Sequence, residues 1–307
     1  MSTKHLLGPL ILGLGLDRLI RRLCARRRVT IAIYHDPEPD VLRTHLAYYA
    51  RHYRFVTLDD VAEALESKRW DRLPDYPLVV TIDDGHRGNL ELGTLLRHYG
   101  IRPTIYLCSR VVGTARPYWW KTPAARKLGP ESLKRLPDAE RRRRLAEAGS
   151  DPDADAPHPQ AMTWEEADAF AAIADYGGHT RHHPILPRCG DAEAADEIGT
   201  CRDEVEAALG RPCRHFAYPN GDYGPREIAL LRRFGYRTGR TVEPGWNGPD
   251  ADPYQLKGFP ISDDASVSWL AVQLTGLPAA LRMLKASWRR KATDKQASAG
   301  ITMANPS

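Results

Sequence analysis

The chain has 307 residues, of which 42% are hydrophobic, 27% charged and 8% aromatic. That composition suits a soluble globular protein of one large or two small domains, and it excludes collagen-like, disordered and disulfide-scaffold classes. Five cysteines (Cys24, Cys108, Cys189, Cys201, Cys213) without a CxxC pair read as reduced thiols. The net charge of +5 is concentrated at the ends: residues 1–30 carry seven basic side chains against Asp17, and residues 281–307 carry six against Asp294. The middle is therefore acidic, which argues against a nucleic-acid-binding body.

Leu6 to Leu16 is apolar but interrupted by Gly8, Pro9, Gly13 and Gly15, and it falls short of the roughly 20 residues a spanning helix needs. It passes into Asp17-Arg18 with no small-residue cleavage site, and most of its basic residues follow the apolar run instead of preceding it. The expectation is a chain that stays cytoplasmic. The basic stretch Leu16–Arg28 is expected to be helical and suits two roles: lying on anionic lipid at the inner membrane face, or packing on the domain with a solvated basic face.

From residue 29 the chain alternates short β-rich runs with amphipathic stretches. Val29–Tyr34 reads as a strand ending in His35-Asp36, and Tyr53–Val56 as another. Thr57 with Asp60 signals the start of a helix running through Glu66. Leu78–Ile82 is a continuous apolar run, as expected of a strand covered on both faces, and ends at Asp83-Asp84-Gly85. A helix over Asn89–Tyr99 and a strand over Pro103–Cys108 follow. Residues 115–160 break the rhythm with Tyr118-Trp119-Trp120, a run of arginines at 141–144 and a loop-like tail, and are read as an inserted lid.

The rhythm resumes with a capping box at Thr163-Trp-Glu-Glu166, a strand leading into Gly177-Gly178-His179, and a long helix over Ala192–Leu209. His215–Tyr218, a helix over Pro225–Phe234, and strands near Tyr236–Val242 and Gln255–Ile261 complete it. Val267–Arg290 is predicted helical, with a disordered basic tail beyond it. Strands alternating with helices imply a parallel sheet with helical crossovers, and about seven such units favour a barrel.

In such barrels the active site forms at the C-terminal ends of the strands. Those ends carry His35-Asp36, Asp83-Asp84, His179 with His183, and the Tyr218-Pro219-Asn220-Gly221 turn. Two histidines with neighbouring carboxylates suit a divalent metal that activates water. Taken singly, Asp-Asp-Gly is a common turn, and His35 could equally be a histidine satisfied by core hydrogen bonds. Pro184 disfavours helical geometry at His183, which places the pair on a strand-to-helix bend with His182 pointing elsewhere.

The order of three motifs carries a resemblance. Thr81-Ile-Asp-Asp-Gly85, His179-Thr-x-x-His183-Pro184 and Phe216-Ala-Tyr-Pro-Asn-Gly221 resemble the first three motifs of the polysaccharide deacetylases, the NodB-homology enzymes of carbohydrate esterase family four. The likeness spans roughly residues 29–262 and includes the Tyr34-His35 pair of one branch of that family. It implies an α/β fold, a distorted (β/α)7-type barrel. Residues 1–28 then precede the domain as a basic helix and residues 263–307 follow it.

The resemblance further implies that Asp84, His179 and His183 hold a divalent metal, usually zinc, and that Asp83 is the general base for the attacking water. Backbone N–H groups of the Tyr218–Asn220 turn would supply an oxyanion donor. The chain departs from the family pattern in three places. The arginine that usually steadies the base falls at Ala217, the usual third-motif tyrosine falls at Asn220, and the late Leu-x-His motif reads Leu256-Lys-Gly258. In the Tyr-His branch a histidine on the first strand supplies the acid, which assigns that role to His35, with Asp36 as its orienter.

The implied activity is metal-dependent removal of an N-acetyl group from an amino sugar in a polysaccharide or a lipid-linked precursor. The same site could instead serve sugar de-O-acetylation or deformylation, or, with Ala217 and Gly258 replacing key side chains, belong to a glycan-binding member without turnover. Tyr118, Trp119, Trp120 and Trp246 are candidate sugar-stacking rings, and equally candidates for core packing.

Overall fold

The computed structural model describes Pro9, residues 12–151, 154–156 and 158–278. The expected helix beyond residue 278, the basic tail and most of the apolar start lie outside the described residues. Eight strands form a single sheet: β1 (Thr30–Tyr34), β2 (Arg54–Phe55), β3 (Pro77–Ile82), β4 (Thr104–Leu107), β5 (Asp175–Gly178), β6 (His215–Ala217), β7 (Thr238–Arg240) and β8 (Phe259–Pro260). The order is β7-β6-β5-β4-β3-β1-β8, with β2 added beside β3, and every pairing is parallel. Arg240 also bridges to Leu256, just ahead of β8, which brings the two edges of the sheet together as a (β/α)7-type barrel.

β1, β3 and β4 are buried along their whole length because the sheet is covered on both faces. Alternation along each strand sorts their side chains into two cores. Ala32, Tyr34, Val80, Ile82, Ile105 and Leu107 pack outward against helical residues such as Leu42, Leu46, Leu96 and Ile198. Ile31, Ile33, Val79, Tyr106 and Ala217 point inward, where Leu58, Val61 and Ala64 join them. The helix Leu58–Glu66 thus plugs the end of the barrel where the strands begin. Asp59 on that helix meets Arg214 at 2.9 Å, Arg237 at 2.7 Å and His215 at 3.3 Å, fastening the plug to the starts of β6 and β7.

Both capping signals form as the sequence implies. Thr57 and Asp60 bond reciprocally at the start of the plug helix, and Thr163 and Glu166 do so at Trp164–Phe170. The helix Pro39–His52 has no counterpart in the sequence reading; its Leu42, His45, Leu46 and Tyr49 are buried. The region expected as a lid forms three short helices, Pro123–Leu128, Pro130–Leu133 and Asp138–Glu147, which gather Ala124, Ala125, Leu133 and Leu145 into a small core of their own. The expected N-terminal helix is α-helical over Leu16–Ile20 and π-helical over Arg21–Ala25.

β5 reads Asp-Tyr-Gly-Gly because its neighbours leave no room for side chains there. A Cβ at Gly177 would lie 2.6 Å from the His215 carbonyl oxygen and 2.6 Å from the Tyr106 ring. Gly177→Ala is therefore expected to force the β5–β6 pair apart and to destabilise the protein by about 1–3 kcal/mol. Urea unfolding checks this; an unchanged midpoint would refute the close packing.

Candidate metal centre

β3 delivers Asp83 and Asp84 as consecutive residues, both 3% exposed, at the mouth of the barrel. Asp84 takes a positive φ of 74°, which turns the chain so that the two carboxylates diverge. β5 delivers His179, and the bend after it carries His183. Thr180 (φ 67°), His183 (φ 55°) and Asn220 (φ 58°) share the left-handed conformation, so four of the six non-glycine residues with positive φ among the described residues sit in these loops. Such strain persists only where surrounding structure imposes it, and it gathers at functional sites.

Ligand atoms of Asp84, His179 and His183 lie within 4.8 Å of one another. Asp84 Oδ1 is 3.6 Å from the Nε2 of each histidine, is buried, and has no hydrogen-bond partner. The His179 Nδ1–H donates to the Ala217 carbonyl at 2.7 Å, so its Nε2 presents a lone pair to that oxygen. A lone pair facing a carboxylate oxygen across such a gap is stabilised by a cation between them. Two imidazoles and one carboxylate are the donor set of a zinc-like divalent ion, and the residues present fit one.

The electrostatics agree. Burial lowers the pKa of His179, and burial with the neighbouring His179 ring pushes His183 down to about 3, so both rings are neutral and able to ligate. Burial works against the Asp84 carboxylate, but the His86 hydrogen bond and the facing His183 and His179 rings outweigh it. Its pKa is held well below the usual carboxylate range.

Asp83 has a different partner. Arg240, the last residue of β7 and fully buried, pairs with its Oδ1 through Nη2. Arg240 is the register partner of Ala217 on β6. An arginine thus reaches Asp83 from the strand next to Ala217, at the same level of the barrel. A side chain at Gly258 would have to displace the Ile33 side chain, since a Cβ there would lie 2.7 Å from Ile33 Cδ1.

The family profile described as polysaccharide deacetylase matches residues 71–239. The chain belongs to the polysaccharide deacetylase family. No curated protein matches it in sequence. Among solved structures, the deacetylase PplD of Streptococcus pyogenes, in complex with acetate, superposes with a TM-score of 0.59 at 17% identity, covering 80% of this chain and 98% of that one. IcaB from Ammonifex degensii gives 0.58 at 19% identity, covering 81% and 97%. A de-N-acetylase from Aggregatibacter actinomycetemcomitans gives 0.59 at 14%, covering 80% and 100%. At these identities the likeness establishes the shared barrel fold.

In this deacetylase-family chain the remaining sequence candidates distribute unevenly. Tyr34 pairs with Ile82 in register, which sets His35 level with Asp83. Its side chain is exposed, and the Asp263 carboxylate accepts from the backbone N–H of both His35 and Asp36. The expected oxyanion turn is narrower than the sequence suggests. The Tyr218 N–H donates to the Arg240 carbonyl at 3.1 Å and its hydroxyl to the Tyr254 carbonyl, while Pro219 has no N–H to offer. The Asn220 side-chain amide donates to Asp222 Oδ2 at 2.7 Å, and of the Tyr218–Asn220 backbone N–H groups the Asn220 one alone has no partner among the described residues, so Tyr218 supports the turn.

His182 turns away to Glu197, at 2.7 Å. The Tyr118 hydroxyl donates to the Asp84 carbonyl, the Trp119 indole donates to the His183 carbonyl at 2.9 Å, and the Trp120 ring lies 4.3 Å from the His183 ring. These three therefore wall the centre, whereas Trp246 packs on Phe259.

Sequence reasoning missed His86, Arg240 and Asp263. His86 is buried, with Nε2 3.3 Å from Asp84 Oδ2 and Nδ1 3.4 Å from Lys121 Nζ. Its place directly after Asp-Asp-Gly was the available signal.

Because His183 and His179 are neutral when folded and titrate near 6.5 when unfolded, the unfolded chain binds more protons below that pH. Stability of the metal-free protein is expected to fall as pH drops from about 6.5 toward 3, and the low Asp84 pKa acts in the same direction. Added zinc is expected to raise the melting temperature at pH 7, with the gain shrinking as pH falls through that window. Melts with zinc and with chelator across pH test this; no zinc-dependent shift at pH 7 would count against the ligand set.

Proposed function

We propose that the chain hydrolyses the N-acetyl group of an amino sugar in a polysaccharide or a lipid-linked glycan precursor, releasing acetate. The observation that carries this reading is the divergence of two buried neighbours. Asp84 turns to two neutral histidines, and Asp83 is clamped by a buried arginine. A divalent metal held by Asp84, His179 and His183, zinc best matching the donors, supplies Lewis-acid polarisation of the acyl carbonyl and of water. Asp83 takes the proton from the attacking water, with Arg240 fixing the orientation of its carboxylate. The Asn220 N–H faces the developing oxyanion.

His35, level with Asp83 at the end of β1, delivers a proton to the departing sugar amine, and Asp263 holds its backbone in place. The wall formed by buried Tyr118 with Trp119 and Trp120 limits water access, and the two partly exposed tryptophans offer aromatic surface to the sugar. Peripheral contact with an anionic membrane through the basic N-terminal helix belongs to the same reading.

Asp83→Asn is expected to lower acetate release from an N-acetylglucosamine oligosaccharide by roughly a hundred- to ten-thousand-fold while zinc content is retained. Full activity in that variant would remove Asp83 as the base. Arg240→Gln is expected to lower kcat and to keep zinc, because the Asp83 carboxylate loses the buried guanidinium that fixes its orientation. An unchanged kcat in a variant that melts normally would remove Arg240 as the residue that positions Asp83.

His35→Ala separates the acyl chemistries. An amine must be protonated to leave, whereas a sugar alkoxide depends on this less. N-deacetylation is therefore expected to fall much further than hydrolysis of an O-acetylated sugar, and equal losses would argue against His35 as the acid.

A further inference from the structure

The N-terminal helix and the turn before it carry most of the large apolar side chains left bare among the described residues. Among the described residues these are Leu14 (73% exposed), Leu19 (52%), Leu23 (73%) and Leu128 (37%), so three of the four fall within ten residues. The row Asp17, Arg21, Ala25, spaced by four, faces the body. Asp17 and Ala25 are buried, and Arg21 pairs with Asp17 at 3.6 Å and donates to the Tyr48 hydroxyl at 3.0 Å. Leu19 and Leu23 occupy the opposite row, with the exposed Arg18 and Arg22 beside them. Residues 16–28 hold six arginines against Asp17 alone.

Leucines alone would suit another protein, and arginines alone a solvated surface. Interleaved on a helix face they match an anionic phospholipid surface, where leucines enter the acyl boundary and guanidinium groups meet phosphates.

The helix is fixed at one end of the barrel. The Tyr76 N–H donates to the Arg26 carbonyl and the Trp70 indole to the Arg27 carbonyl, so the helix sits where β1 and β3 begin. The metal centre lies where those strands end, on the order of 20 Å away for a six-residue strand. We propose that the Leu14–Arg28 face docks on an anionic phospholipid surface and points the catalytic mouth away from the bilayer. Granted the deacetylase reading, the docked protein works on glycan chains extending from the membrane, not on sugars at headgroup depth.

Flotation of the full chain with phosphatidylcholine vesicles, with and without phosphatidylglycerol, tests the docking. Binding is expected only with phosphatidylglycerol and to weaken with salt. Leu19→Asp/Leu23→Asp and Arg18→Glu/Arg22→Glu are each expected to lose it while keeping wild-type melting and zinc content. No binding to anionic vesicles, or equal binding by both variants, overturns the proposal.

Orientation is read without activity. Cys24 is half-buried and the other four cysteines are buried, so a fluorophore on Cys24 is compared with one on Cys24→Ser/Asp222→Cys, the second lying in the loop after β6. Lipid-borne quencher is expected to quench the first only, and quenching of the second overturns the orientation. Acetate from a soluble N-acetylated oligomer, but not from a sugar linked directly to lipid phosphate, supports the substrate consequence, and equal release from both refutes it. Acetate from neither would sink the deacetylase reading, while flotation and quenching still decide the docking.

Discussion

Two consecutive carboxylates, both buried at the mouth of a barrel, form the constraint around which this structure is arranged. Each uncompensated ion there would cost several kcal/mol, and like charges at adjacent positions add to that. The chain resolves the conflict by geometry. The positive φ of Asp84 swings its carboxylate toward His179 and His183, while Asp83 keeps the strand direction and meets Arg240. One carboxylate therefore faces two imidazoles and the other is paired with a guanidinium. Converging imidazoles, a buried guanidinium and strained loops all follow from that split.

The barrel makes those positions reproducible. Strand alternation separates an outer core under the helices from an inner core that fills the barrel, and the helix Leu58–Glu66 closes the end where the strands start. With that end plugged, the Asp84, His179 and His183 cluster forms at the opposite end. Side chains at the last strand positions are held by parallel register: Tyr34 against Ile82, and Ala217 against Arg240. The His179 ring is fixed by the Ala217 carbonyl, so the residue at the family's arginine position orients this imidazole instead.

The inserted helices act as a wall, not as a separate body. Their own core is small, and their strongest links run to the site: Trp119 to the His183 carbonyl, Trp120 against the His183 ring, and Lys121 beside His86. Arg141, buried under them, pairs with Asp138 and lies 4.4 Å over the Trp119 ring, which stiffens that wall from behind. The charge pattern that suggests a solvated helix belongs to its outer face, where Arg143 and Arg144 pair with Glu140.

Local chemistry was enough for the sequence to determine the alternating elements, both capping boxes, and the ends of the strands as the chemical face, with the Asp83-Asp84 and His179–His183 motifs on it; the choice of Asp84 with the two histidines came from the family resemblance. Each of those is written in contiguous residues: β-branched runs, Thr-x-x-Asp/Glu spacing, and motifs of a few positions. Arg240 could be assigned only by the fold, because its partner is 157 residues away and the link is a register between β6 and β7, which no local pattern encodes. The same holds for the loss of the Tyr218 amide to the Arg240 carbonyl, for the hold of Asp263 on His35, and for which rows of the basic N-terminal helix face the body. Those depend on which surfaces meet once the barrel closes, and only tertiary structure decides that.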